Sequence, residues 1–122
     1  MCIRDRRRAS FVWGKTDCIM ATCNYIRDRT GVDPARPWRG LYDSEASATA
    51  LYTPYGGVLA LFRHGMGLAG FRETDAPQDG SPVVCDVMGK EVAGVFMGGK
   101  VAFMAPRGCV EVRAKVLGAW VI

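Results

Sequence analysis

Phe11-Val12-Trp13-Gly14-Lys15-Thr16-Asp17-Cys18 is the stretch whose reading decides the fold. An aromatic run closed by glycine leads into Asp-Cys, and apolar residues follow at Ile19, Met20, Ala21, Cys23, Tyr25 and Ile26. Thr16 or Asp17 can accept hydrogen bonds from the first free N–H groups of a helix, and Gly31 suits the position just past its end. The pattern predicts a helix to about Thr30, most enclosed over its N-terminal two-thirds, because the plainly polar residues are Asn24, Arg27, Asp28 and Arg29. A cysteine at such a helix start is where a thiolate would be built, since unpaired N–H groups and the helix dipole favour a negative sulfur.

Outward from this helix, residues 32–40 form a loop carrying Trp38. Ser44 caps a second helix through Tyr52, and a third runs from Val58 to about His64 and ends at Gly65. Residues 71–82 read as a polar connector. The period then changes: Val83–Met88, Glu91–Met97, Val101–Ala105, Cys109–Arg113 and Ala119–Ile122 are short apolar runs separated by Gly-containing turns. Helices first and a β-meander afterwards indicate an α+β domain.

At 122 residues the chain is long enough for one core and too short for two. The apolar runs fall far short of a membrane span, and no charged-then-apolar leader opens the chain, so the expected location is cytosolic. The net charge is +4, and the first eight residues carry +3 of it. The remaining Lys and Arg are scattered among acids without a basic stripe, which argues against nucleic acid as partner. Five cysteines, no Cys-x-x-Cys pair and a single histidine argue for reduced thiols and against zinc or any other metal; no cofactor is expected. Met1-Cys2-Ile3-Arg4-Asp5-Arg6 looks like the translation of a sequencing adapter read into the gene. Residues 1–10 are therefore expected to be non-native or disordered, with 11–122 forming the domain and a modest apolar patch uncovered near Phe11 and Val12.

A helix-borne cysteine followed by an antiparallel sheet resembles the papain-like cysteine hydrolases, and in detail their NlpC-type branch across roughly residues 11–113. The matching pieces are Trp13-Gly14 with Asp17-Cys18, Ala76-Pro77 with Asp79-Gly80, the strand Val92-Ala93-Gly94-Val95-Phe96, the hairpin Gly98-Gly99-Lys100, and the turn Ala105-Pro106-Arg107-Gly108. The chain is also similar to a group of phage and prophage proteins of unassigned function that share the Trp-Gly-x-x-Asp-Cys opening, Gly-x-Tyr (Gly40-Leu41-Tyr42) and a terminal Ala-Trp (Ala119-Trp120). The resemblance implies a papain-like fold, Cys18 as the candidate nucleophile, and Trp13 and Tyr42 beside its cleft as binding residues with Asp17.

The departures shape the functional expectation. By this alignment the family's catalytic histidine falls at Val92 and the residue that orients it at Met104, both expected to point toward Cys18. Neither side chain can accept or hold a proton. His64 is the one imidazole that could serve as base, and it is not at the family's position. Asp17 reads chiefly as a cap. The resulting expectation is a non-catalytic, degenerate NlpC-like protein of a phage or prophage tail module. It would act by contact with tail proteins, in the bacterial host cytoplasm or on the virion. The alternative is an active cysteine hydrolase of peptidoglycan peptides or related amides, using Cys18.

Overall fold

The structure is a computed structural model, and it describes residues 10–122. The reading of residues 1–10 as non-native or disordered thus lies, apart from Ser10, outside the described residues. Among those described, three helices precede a six-stranded antiparallel sheet. The helices are α1 (Cys18–Thr30), α2 (Glu45–Tyr52) and α3 (Val58–Leu68), with a 3-10 turn at Thr53–Tyr55. The strands are β1 (Arg72–Thr74), β2 (Pro82–Val87), β3 (Lys90–Met97), β4 (Lys100–Ala105), β5 (Gly108–Val112) and β6 (Lys115–Val121).

The first two helices form where their caps stand. Asp17 accepts from the first turn of α1, and Gly31 ends it in the left-handed conformation at φ 78°. Ser44 and Ser47 make a reciprocal capping box for α2. The third helix corrects the expectation. It does not stop at Gly65 but continues to Leu68, and Gly65 is a buried interior residue. A Cβ there would overlap the Trp38 ring and the Pro34 carbonyl, so this glycine marks a close approach instead of a helix end. The loop that delivers Trp38 is pinned by Arg39, whose guanidinium forks onto Asp33 at 2.7 and 2.9 Å and reaches Asn24 at 2.8 Å. That fork holds the Asp33 carboxyl below its ordinary range.

The sheet order is β1-β6-β2-β3-β4-β5. Strands β2 to β5 form the expected meander, but β6 leaves it and returns to lie between β2 and β1. It also begins earlier than the apolar run suggests, at Lys115, with an irregularity between Val84 and Cys85 in its pairing with β2. The connector expected over residues 71–82 contains β1, a three-residue edge strand.

Both faces of the sheet carry apolar side chains. One face packs under the helices in the main core with Met20, Ile26, Trp38, Phe62 and Trp120, and it contributes Val84, Ala93, Val95, Ala102 and Met104. The other face holds a second cluster of Val83, Cys85, Val101, Phe103 and Ala119, with Val92 and Phe96 against it. Trp38 and Trp120 are each 1% exposed and pack in the core, whereas Tyr55 is 42% exposed. Near the start of the described chain Val12 is 43% exposed, while Phe11 packs partly onto the main core. Among the described residues no helix is long and apolar enough to cross a membrane.

Candidate functional site

The Trp-Gly-x-x-Asp-Cys opening folds into a knot centred on Asp17. The carboxylate is 1% exposed and accepts from Ile19 N at 3.0 Å and Met20 N at 3.2 Å in the first turn of α1. It also accepts from Gly14 N at 2.7 Å and from the Tyr42 hydroxyl at 2.7 and 2.8 Å. Four donors from three separate segments therefore satisfy one buried charge. Gly14 sits at φ 82°, and a Cβ there would run into the Tyr42 carbonyl oxygen. A single arrangement thus explains why glycine stands three residues before the aspartate and why a tyrosine stands at residue 42. Burial, followed by the Asp17 charge, pushes the Tyr42 hydroxyl far above its ordinary range, so it remains a donor.

Cys18 follows the cap and faces a cleft of about 750 Å³. The start of α1, the α2 residues Ala48 and Tyr52, the first residues of β3 and the last of β4 form its walls, and Phe11 and Trp13 contribute to the lining. Those two rings meet edge to face, 4.9 Å between centroids at 89°. The cleft lies beyond the end of the short β3–β4 ladder. β3 and β4 are paired at Val95–Ala102, Phe96–Val101 and Met97–Lys100, next to their turn, and the ladder stops before the start of β3.

The thiol is held neutral. Burial is the main influence and the Asp17 charge adds to it. Hydrogen bonding to the Ala93 and Ile19 backbone opposes both, and the net result is a pKa raised to about 12. The helix start therefore does not yield a thiolate near neutral pH.

The expected pairing of Val92 with Met104 in front of the thiol is half right. Met104 faces the helices in the main core, but Val92 lies opposite Cys85 on β2 and packs with the second cluster on the far face. Val92 borders the cleft at the strand start, yet the residue set against the sulfur is its neighbour Ala93. A one-residue shift along a strand exchanges its faces, and this strand is apolar on both.

Trp13, Asp17 and Cys18 line one cleft, and Tyr42 stands behind Asp17. His64 is not among the cleft's lining residues; it is exposed on α3, its ring 5.1 Å from that of Tyr55. Two contributors were not legible beforehand. Ala93 acts through its backbone. Glu91 accepts from Leu59 N at 3.2 Å and so caps α3, whose own cap residue, Gly57, has no side chain to do so. Nothing in the local sequence links Glu91 to a helix 32 residues earlier.

Among the described residues no group of three or more His, Cys, Asp or Glu could hold a metal ion. Among the described residues Cys18, Cys23 and Cys85 are free thiols.

The family model described as a domain of unknown function (DUF6950) matches residues 1–122, so the chain belongs to that family. No curated protein and no solved structure matches it.

Proposed function

We infer that this chain is a non-catalytic relative of the NlpC-type papain-like hydrolases, serving a phage or prophage tail module by contact with other tail proteins. It would work in the host cytoplasm or on the virion. The surroundings of Cys18 carry the reading. A cysteine hydrolase needs a thiolate and a base within hydrogen-bond reach of it. Here the thiol pKa is raised to about 12, the nearest strand residue is Ala93, and Asp17 spends its acceptors on Gly14, Ile19, Met20 and Tyr42. The order of parts, a helix-borne cysteine against an antiparallel sheet, supports the kinship. The losses around the sulfur support a change of work from chemistry to contact.

Iodoacetamide labelling followed by mass spectrometry tests this. Cys18 should label at pH 7 no faster than an ordinary thiol, and His64→Ala should leave that rate unchanged. Cys18→Ser should support tail assembly in a complementation assay. Fast, selective labelling of Cys18 that collapses in His64→Ala would instead overturn the non-catalytic reading in favour of the alternative, an active cysteine hydrolase of peptidoglycan peptides or related amides.

A further inference from the structure

Met88 and Gly89 form the two-residue turn between β2 and β3, which closes on the pair Val87–Lys90. Both have positive φ, 53° for Met88 and 84° for Gly89, the mirror-image turn that fits the twist of a hairpin. Such a turn favours asparagine or glycine at its first position, because other side chains crowd the backbone there. Met88 is the one non-glycine residue with positive φ among the described residues, and it is 98% exposed. The turn is firmly held, since Asp86 Oδ1 accepts from Gly89 N at 2.8 Å. A rigid tip thus presents an apolar side chain to solvent in a backbone conformation that disfavours it. Neither packing within its own chain nor turn propensity accounts for methionine here.

Beside this knob lies a hole. Gly89, Lys90 and Glu91 line the cleft of about 750 Å³ at Cys18, whereas Met88 stands outside it. The rings of Phe11, Trp13 and Tyr52 contribute apolar walls, and a thioether packs well against aromatic rings. The charges of the cleft are unbalanced. Asp17, Glu45 and Glu91 stand against the single ammonium of Lys90, in a chain whose net charge is +4. Glu45 is exposed at the start of α2 and makes no ion pair among the described residues.

We propose that two copies of this chain pair about a twofold axis, the Met88 tip of each entering the Cys18 cleft of the other. A knob beside a hole on one surface is self-complementary. When the axis runs between them, each knob meets the other copy's hole and the pairing closes at two copies. Met88 then packs against aromatic rings of the cleft, and Lys90, carried in behind it, meets the partner's Glu45. The contact is small, so the dimer is weak and rapidly reversible. The inference goes beyond the reading of Cys18 as unreactive and does not depend on service in a tail module.

Sedimentation velocity of the full chain, from about 10 µM to about 1 mM, tests this. The sedimentation coefficient should rise with concentration toward that of a dimer. Met88→Asn should weaken the dimer about tenfold or more, as loss of a central anchor does. In dilute, monomeric protein the same substitution should raise the thermal midpoint, because asparagine suits the turn. Those opposite effects separate a lost contact from lost folding. Lys90→Glu and Glu45→Lys should each weaken the dimer, and the double variant should restore it to within about threefold of the unaltered chain. A chain still monomeric at about 1 mM overturns the proposal. So does a dimer as tight in Met88→Asn as in the unaltered chain, and so does growth beyond two copies. Failure of the double variant to recover overturns the exchanged Lys90–Glu45 contact and the twofold geometry with it. The labelling rate of Cys18, read on dilute monomer, is untouched by any of these results.

Discussion

Removing the Asp17 carboxylate measures how much of the fold hangs on the knot. Asp17→Ala deletes the cap of α1, which costs about 0.5–2 kcal/mol at a typical helix start. It also strips the buried Tyr42 hydroxyl of its acceptor and frees Gly14 N, and a stranded buried polar group costs about 1–3 kcal/mol. Together these give a loss of about 3–4 kcal/mol, a large share of the roughly 5–15 kcal/mol by which a domain is stable. Asp17→Asn should lose less, about 1.5–3 kcal/mol, because one oxygen can still accept from Ile19 and Met20 while the new amide confronts Gly14 N–H. Urea denaturation gives both values, and a cycle with Tyr42→Phe isolates the shared bond. The same variant separates structural from catalytic roles. The Asp17 charge helps to keep Cys18 protonated, so Asp17→Asn should raise the alkylation rate of Cys18 at pH 9. A loss below about 1 kcal/mol in Asp17→Ala would refute the structural account. Slower alkylation in Asp17→Asn would make Asp17 an activator of the thiol.

The alkaline limb of stability should be steep. The Cys18 and Cys85 thiols are raised to about 12 and about 11 by burial, against roughly 8.5 in an unfolded chain. Above that unfolded value the unfolded state releases protons first, so stability is complete below about pH 8.5 and falls as pH rises through the folded values. Denaturation midpoints measured from pH 7 to 10.5 should decline, less so in Cys18→Ala, and a flat profile would contradict the thiol environments described. Gly65→Ala should destabilise by about 1–3 kcal/mol in urea, since its methyl meets the Trp38 ring and a carbonyl oxygen. Unchanged stability would mean that the α3–Trp38 contact is loose.

Much of the helical half was legible because its signals are local. Asp17, Gly31 and Ser44 are caps whose chemistry acts within four residues, and all three fall where the pattern predicts. Gly65 misled because a glycine that ends a helix and one that admits a neighbouring ring look alike in sequence. β1 escaped notice because Arg72-Glu73-Thr74 has no apolar period; it is held by backbone pairing to β6 and by the ion pair of Glu73 with Arg63 at 3.0 Å. The cleft was legible in part. Trp13, Asp17 and Cys18 belong together through short-range spacing, whereas the orientation of Val92 depends on register. Val92-Ala93-Gly94-Val95-Phe96 is apolar on both faces, so no alternation betrays which side meets the thiol. The kinship with NlpC-type hydrolases that we propose rests on the order of elements and on the opening motif.

The position of β6 carries a consequence for how the chain reaches this state. It is the last strand in sequence but the second in the sheet, and β1 pairs with no other strand. Hairpins β2–β3 and β3–β4 close over two-residue turns and can form early, on the microsecond scale of local pairing. Pairing β6 with β1 must instead bring together residues such as Thr74 and Ala119, and such long loops close late. A folding intermediate is thus expected in which the meander is formed while Arg72–Thr74 and the edge of β2 wait open. That open slot between β1 and β2 is where a second unfolded chain could insert its own β6. Refolding at high concentration should therefore yield strand-exchanged dimers before it yields disordered aggregates.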